Sequence, residues 1–422
     1  MHKFFNRAAL FSVFLDNLYL PINLGFDFRL NYILFIFFIG YYLLTLKKLK
    51  IDVTTLISTG IISFILLLVS IFNGDSIASF FKQFILVFIN FIFCYLYLSS
   101  NQFNWSKVLK DYLVVVKIIC VVSIIQFISF KIGFVYGADY SYLGFDLGNF
   151  SFYSFHRVQA WFQEPSFLVY AIMPAAHIAL SRFFNIHKQI DKTFSFFILL
   201  VLFLSGSSTG FIGSLLSLII IIFSKYPILK KPLYLALIIL IVPLLTFALY
   251  QLPDVKQRVD DSVALFVKKD PAKQDIDSTN LSTYALYSNY RVTLEAISHN
   301  PIFGTGFGTY ESNYDKYITL VIPESNYRSN YQLNKKDANS LFFRIVVEFG
   351  IFGLFFFYLF IYNKRISFNK LNTDLGILWA LNNGIVILII LRLLRQGHYT
   401  SLGFILFLLL LFYSKKNVIY NE

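Results

Sequence analysis

The chain is a succession of apolar runs, each near the twenty residues a helix needs to cross hydrocarbon, interrupted once by a long polar stretch at 253–338. The runs show little alternation of period two, which argues for helices rather than the strands of a barrel. Only 14% of the 422 residues are charged and 57% are hydrophobic, whereas about a quarter of a soluble domain is charged. The expected fold class is all-α: a polytopic integral membrane protein of about twelve transmembrane helices, with one large extracytoplasmic loop between helices nine and ten. The runs lie near 8–24, 28–46, 53–72, 78–98, 112–132, 166–183, 193–206, 208–224, 233–252, 339–362, 375–394 and 400–413. Residues 1–252 then hold helices one to nine, with a smaller outer loop near 133–165. Residues 253–338 are the large loop, and 339–422 hold helices ten to twelve.

The net charge of +13 is spread in short clusters between runs. Lys47, Lys48 and Lys50; Lys107 and Lys110; Arg182, Lys188 and Lys192; Lys225, Lys230 and Lys231; Lys364, Arg365 and Lys370; and Lys415 and Lys416 all fall on one side if the N-terminus is cytoplasmic. That is the positive-inside pattern, so both termini are expected inside and the long loop outside. Scattered clusters are topology signals rather than a nucleic-acid patch, and no nucleic-acid partner is expected. Cys94 and Cys120 fall within apolar runs and read as buried thiols. The first run shows no evident cleavage site and reads as a retained helix. No internal repeat is evident, which weakens a transporter reading.

The candidate chemistry lies at the outer ends of the runs. Arg157 and Glu164 flank the start of span six, where Pro165 suits the first helical turn. A guanidinium offers diphosphate a planar fork of donors, and a carboxylate can take a proton from an attacking hydroxyl. The bland alternative is a helix-start carboxylate beside a basic neighbour. The long loop contributes Arg291 as a phosphate ligand, on a short amphipathic helix leading to His299, either a base or, as is commoner for a histidine before Asn-Pro, a structural residue. Gly304, Gly306 and Gly308 follow and force a tight loop.

Asp337 and Asn339 open span ten, where either can cap the helix. Arg344 and Glu348 follow four apart as a structural or a site-lining pair. Arg395, His398 and Tyr399 reach the same face between the last two spans, either as site residues or as interfacial anchors. Asp16 and Lys117 sit inside apolar runs as bundle-facing polar residues without assigned chemistry. No Walker loop, His-Glu-x-x-His or Gly-x-Ser-x-Gly is present, so no metal and no cofactor are expected.

Four motifs in this order complete the picture: Arg157 through Glu164-Pro165-Ser166; Ser205-Gly206-Ser207-Ser208-Thr209-Gly210; Arg291 with Asn300-Pro301-Ile302-Phe303-Gly304-Thr305-Gly306; and Asn339 through Glu348-Phe349-Gly350-Ile351-Phe352-Gly353. With the twelve-span layout they resemble the bacterial O-antigen ligase and Wzy-type polymerase family. Glu164-Pro165 is more similar to the polymerase branch than to the ligase branch.

The resemblance implies a glycosyltransferase of the bacterial cytoplasmic (inner) membrane with its site facing the periplasm. Undecaprenyl-diphosphate-linked glycans would be the substrates. Membrane lipid, a chain-length regulator and a flippase of the same pathway would be the partners. It implies Arg157, Arg291 and Arg395 on the diphosphate. Relatives carry a base histidine just before the Asn at the start of span ten; Ala338 stands there in this chain. Glu164 is therefore the first choice of base, Asp337 the second, with His299 and His398 behind. Substrate contacts are expected from Arg395, His398, Tyr399, Asn339, His299 and Arg344. A ligase, transferring to lipid A core, is separated by an acceptor assay. A flippase would need ionisable residues through the membrane centre in both halves.

Overall fold

In hydrocarbon a backbone must satisfy its own N–H and C=O groups, so an isolated apolar run becomes a helix. The structure is a computed structural model and describes residues 2–23, 27–45, 49, 52–72, 77–147, 151–152, 155–226, 243–244, 247, 250–251, 253–267, 271–368 and 373–419. Helix α1 (His2–Ser12) and the hairpin β1 (Tyr19–Asn23) with β2 (Asp27–Arg29) precede α2 (Leu30–Leu44), α3 (Val53–Phe72), α4 (Ile77–Ser100) and α5 (Trp105–Ile132). A short α6 (Val135–Ala138) and the hairpin β3 (Ser151–Phe152) with β4 (Phe155–His156) lead to α7 (Pro165–Phe183), α8 (Lys192–Leu204) and α9 (Ser208–Lys225). Then come α10 (Pro253–Val267), α11 (Lys273–Asp277), α12 (Leu281–His299), α13 (Tyr310–Val321) and α14 (Asn326–Asn330). Helices α15 (Leu341–Lys364), α16 (Thr373–Arg395) and α17 (Phe404–Ile419) complete the chain.

Among the described residues seven helices are long and apolar enough to cross a membrane: Val53–Ile71, Ile77–Ser100, Trp105–Ile132, Pro165–Phe183, Ser208–Lys225, Leu341–Lys364 and Leu375–Arg395. Shorter apolar helices cover Leu30–Leu44, Lys192–Leu204 and Ser401–Lys415. The protein is an all-α polytopic membrane protein with two small hairpins. The expected ninth span, 233–252, lies largely outside the described residues. Helices α7 and α16 form the centre: 72% and 83% of their apolar windows are buried, against 6% for α3 at the lipid-facing edge. A Cβ on Gly384 of α16 would lie 2.9 Å from the Pro174 carbonyl oxygen of α7, so a glycine is what lets these two helices meet.

The expected first span, 8–24, does not form. Helix α1 stops at Ser12, and the chain turns into β1. Asp16 and Asn17 explain the break, because both are buried and tied to distant segments. An Asp16 oxygen lies 3.5 Å from Arg29 Nη1 and accepts the Leu402 N–H at 3.2 Å. The Asn17 amide donates to the carbonyls of Asp146 and Trp161. Pro21, which lacks an N–H, then falls within β1 rather than in a helix interior.

Two non-helical segments enter the bundle, and both are held by backbone hydrogen bonds to residues distant in sequence. Residues 158–162 are buried around Gln126, whose carbonyl accepts the N–H groups of Gln159 and Ala160 and whose amide donates to the carbonyls of Ala138 and Ala160. Trp161 Nε1 donates to the Phe14 carbonyl at 2.8 Å. The second segment is the glycine-rich run after Pro301. Helix α15 is broken at Gly350, whose φ of +65° only glycine adopts cheaply. The run lies along that break: Thr305 N–H donates to Val347 O, Gly306 N–H to Glu348 O, Ile351 N–H to Pro301 O and Phe352 N–H to Ile302 O. The two motifs are therefore one structural unit. The glycines serve close backbone approach, packing this part of the 253–338 stretch against the break in α15.

Candidate active site

Helices α2, α4, α7, α9 and α15 begin, and α16 ends, at one end of the bundle, so chain direction alone gathers their terminal residues there. Glu164 is the N-cap residue of α7, with Pro165 in the first turn as expected. Its carboxylate makes no cap bond; it accepts the Ser166 hydroxyl at 3.0 Å and remains exposed. The cap of α15 is neither Asp337 nor Asn339, as had been expected, but Ser340, whose hydroxyl accepts the Phe343 N–H and donates to the Leu393 carbonyl. That frees the Asp337 carboxyl to face inward. Arg395 is the last residue of α16, where a cation complements the helix C-terminus. Its carbonyl accepts the Tyr170 hydroxyl at 2.8 Å.

Between these ends lies a cleft of about 630 Å³ lined by Glu164, Asp337, Asn339, Arg395 and His398. The same cleft is lined by residues that the sequence did not single out, namely Arg29, Glu311, Lys335 and Lys336. Arg29 had been placed inside a membrane span; its signal was the polar Asp27-Phe28-Arg29 between two apolar runs. The Lys335-Lys336 pair directly before Asp337 was equally visible. Lys335 Nζ lies 2.7 Å from Asp315 and 4.0 Å from Glu311, which anchors α13 at the cleft rim.

Asp337 is the most perturbed acid of the cleft. Burial pushes its carboxyl from the usual 3.8 up to about 6, opposed by N–H donors from Asn339 and Gly397 and by the charge of Arg344, and reinforced by Glu164. His398 Nε2 lies 3.9 Å from Asp337 Oδ2. Burial, with Arg29, Arg344, Arg392 and Lys336 around it, drives the imidazole well below 6.5. At neutral pH the two are therefore a carboxylate beside a neutral imidazole, not an ion pair. The ring keeps 30% of its side chain accessible because it borders the cleft.

The loop carrying His398 is held from beneath. Buried Arg392 donates to the carbonyls of Ser401 and His398 and to the Ser401 hydroxyl. A Cβ on Gly397 would lie 1.6 Å from the Asp337 carbonyl oxygen, so only glycine lets the two loops touch.

Ala338 occupies the position just before Asn339. Its methyl faces away from the cleft, into a seam of Val292, Ala296, Tyr310, Tyr314, Tyr317 and Val347. Ala338 and Asn339 both take left-handed backbone, φ +62° and +56°, and the Asn339 N–H closes onto Asp337 Oδ1 at 3.2 Å. The Asn334 amide donates to the Asn339 side-chain oxygen.

Arg344 and Glu348 are a fully buried pair, 3.0 Å apart. Arg344 also donates to Gly397 O and Gln83 Oε1, and its guanidinium stacks 4.3 Å from the Tyr399 ring. Tyr399 donates to Glu348 at 2.8 Å. Arg344 reaches a second, adjoining cavity of about 420 Å³. Tyr399 borders an apolar groove of about 590 Å³ between α3, α15 and α17.

Arg157, Arg291 and His299 do not line the cleft. Arg157 Nε donates to the Ser205 carbonyl, with its chain packed over Gly206, so the first two motifs meet at the start of α9. Arg291 donates to the Tyr287 hydroxyl. It lies about 9 Å along α12 from Ala285, the last residue of that helix to reach the cleft. His299 stacks on Tyr317 and approaches Glu295 at 3.4 Å, at the far end of α12. Cys94 and Cys120 are buried free thiols.

Residues 193–358 match the family model of the O-antigen ligase. The chain carries an O-antigen ligase-family domain. The match supports the O-antigen ligase/polymerase family and a glycosyltransferase-like membrane enzyme of lipopolysaccharide biosynthesis. The domain runs from α8 into α15 and contains the glycine unit, Asp337, Asn339, Arg344 and Glu348, while Glu164, Arg395 and His398 lie outside it. No curated protein and no solved structure matches the chain.

Proposed function

We propose that this O-antigen ligase-family protein is a polymerase that joins polyprenyl-diphosphate-linked oligosaccharide repeat units at the outer face of the bacterial cytoplasmic membrane. The observation that carries the reading is the cleft itself. A buried acid with its carboxyl near 6 shares about 630 Å³ with Arg29, Arg395, Lys335 and Lys336 at one end of the helices. Glycosyl transfer from a diphosphate needs both halves of that arrangement. Asp337 takes the proton of the acceptor hydroxyl as its oxygen attacks the anomeric carbon. The bond from that carbon to the diphosphate oxygen breaks, and the polyprenyl diphosphate leaves with the electron pair. A base near the working pH suits the first event, and fixed cations suit the charge that develops in the second.

Asp337 thus moves ahead of Glu164 as the base. Glu164 is exposed and already accepts Ser166, so it positions the acceptor sugar. Arg395, Arg29 and the lysine pair are the cations that line the cleft with the carboxylates. Arg157 acts by holding the Ser205–Gly206 turn, and Arg291 through α12. Residues 271–338 cover the cleft and position the glycans, the task of a lid.

On this reading both termini are cytoplasmic, which the basic residues Arg182, Lys225 and Lys364 at the helix ends opposite the cleft support. A chain-length regulator and a flippase are the expected pathway partners. Deleting the gene and resolving surface polysaccharide on a gel tests the reading. Loss of the ladder with a single repeat unit still exported supports a polymerase. Long chains accumulating on the polyprenyl carrier mean a ligase instead.

A further inference from the structure

The cavity of about 420 Å³ beside the cleft has a composition that the single-site reading does not use. Arg29, Lys82, Lys336 and Arg344 line it with the neutral His398 ring and one carboxylate, Glu311. Arg29 and Arg344 also face Asp16 and Glu348 behind the wall, which leaves Lys82 and Lys336 as the cations not paired with those buried acids. Four of these residues (Arg29, Glu311, Lys336 and His398) also border the cleft, so the two spaces share a wall. Lys82 stands in the second turn of α4, about 8 Å along the axis from its start. Ser79, Lys82, Gln83 and Leu86 recur at helical spacing and all reach the cavity.

The remaining lining combines the polar Ser79, Gln83 and Thr400 with an apolar part. Tyr32, Ile85 and Leu86 border the mouth, and Ile85 is 52% exposed on the outer flank. Further from that mouth along α2 and α4, Ile33, Ile36 and Phe88 are exposed as well. A cationic pocket with an apolar flank beside it fits an amphiphile whose head is multiply anionic and whose tail lies in lipid. A lysine near a membrane surface can be a simple anchor. Its cavity-facing position among three other cations is what an anchor does not explain.

We propose that this second cavity seats the diphosphate of a second polyprenyl-linked substrate, the acceptor lipid, with Lys82 as its dedicated ligand and its isoprenoid tail along the α2–α4 flank. The inference rests on the polymerase reading and deepens it. Joining two lipid-linked glycans needs a second anion seat, no farther from the base than the acceptor's own oligosaccharide spans, and the shared wall carries His398, 3.9 Å from Asp337. The donor diphosphate then occupies the Arg395 side of the cleft and the acceptor the Lys82 side.

The test is binding stoichiometry on the full chain in nanodiscs, read by native mass spectrometry with undecaprenyl diphosphate as the probe. Wild type is expected to bind two equivalents. Lys82→Gln is expected to weaken one of them about tenfold or more while the other is unchanged, and Lys82→Arg to restore it. Arg395→Gln is expected to weaken the other. Lys336→Gln is expected to weaken both equivalents, because Lys336 borders both spaces. Inorganic diphosphate is expected to compete weakly, and phosphatidylglycerol not at all.

A single equivalent insensitive to Lys82→Gln overturns the proposal. So does equal displacement by phosphatidylglycerol, which would make the cavity a general seat for anionic lipid. The failure of either reading is distinguishable: two equivalents, one of them Lys82-sensitive, can stand in a protein whose deletion gives the ligase phenotype, and a polymerase phenotype can accompany a single equivalent.

Discussion

Replacing Asp337 by Asn separates catalysis from folding, because the two effects have opposite signs. The rise of its carboxyl from 3.8 to about 6 corresponds to about 3 kcal/mol of destabilisation once the group is ionised. The folded protein takes up this proton before the unfolded chain does as pH falls. The cost is therefore fully present above about pH 6 and gone below 3.8. Asparagine keeps an acceptor for the Asn339 N–H but carries no charge, so Asp337→Asn is expected to melt higher than wild type at pH 7.5, with the difference vanishing toward pH 4. Transfer is expected to fall by about a hundredfold or more, the usual worth of a positioned base. In wild type, kcat/KM should rise with pH through about 6, the value burial gives Asp337.

Scanning fluorimetry and a transfer assay in nanodiscs across pH 5–8 read both effects. A variant that melts lower and loses activity only in proportion would make Asp337 a structural residue. A variant within a few-fold of wild-type activity would remove it from the mechanism.

Glu164→Gln is expected to lower activity less than tenfold, mainly through KM, since its carboxylate is exposed and bonded to Ser166; initial rates against acceptor concentration decide it. Glu348→Gln strips a charge from a buried pair and is expected to cost about 3–5 kcal/mol, read as a lowered melting temperature and reduced membrane yield. Gly350→Ala would place a Cβ 2.2 Å from the Ile302 carbonyl oxygen at a φ of +65°; immunoblotting of membranes should show little protein, where alanine elsewhere in α15 is tolerated. Arg395→Ala is expected to reduce transfer at least tenfold more than Arg291→Ala, because only Arg395 borders the cleft; single-turnover rates compare the two.

Much of the architecture was legible because bilayer thickness imposes a length on every span. The runs starting near Val53, Ile77, Pro165 and Leu341 are helices within a residue or two of where their hydrophobicity begins. What failed was set by contacts distant in sequence. Asp16 and Asn17 look like two polar residues in an apolar run until Leu402, Arg29 and Trp161 are seen to hold them. The glycines after Pro301 read as a surface turn because their partner, the break at Gly350, lies more than forty residues away.

The site was half visible. Glu164, Asp337, Arg395 and His398, expected at one face, line one cleft because topology sends helix ends there. Arg29 was hidden by the misplaced first spans. Arg291 was favoured by its motif, although the helical phase of α12 turns it toward Tyr287. Ala338 was read as a missing base, whereas the carboxyl beside it and His398, sixty residues on, occupy that corner of the cleft.

The central claim is that this cleft transfers glycan from one polyprenyl diphosphate to another. The direct measurement is purified protein in nanodiscs supplied only with a lipid-linked repeat unit, with products separated by size. A ladder of lipid-linked oligomers from wild type, absent with Asp337→Asn, is the predicted result. Unchanged single repeat units from active wild-type preparations, converted only when lipid A core is added, would contradict it.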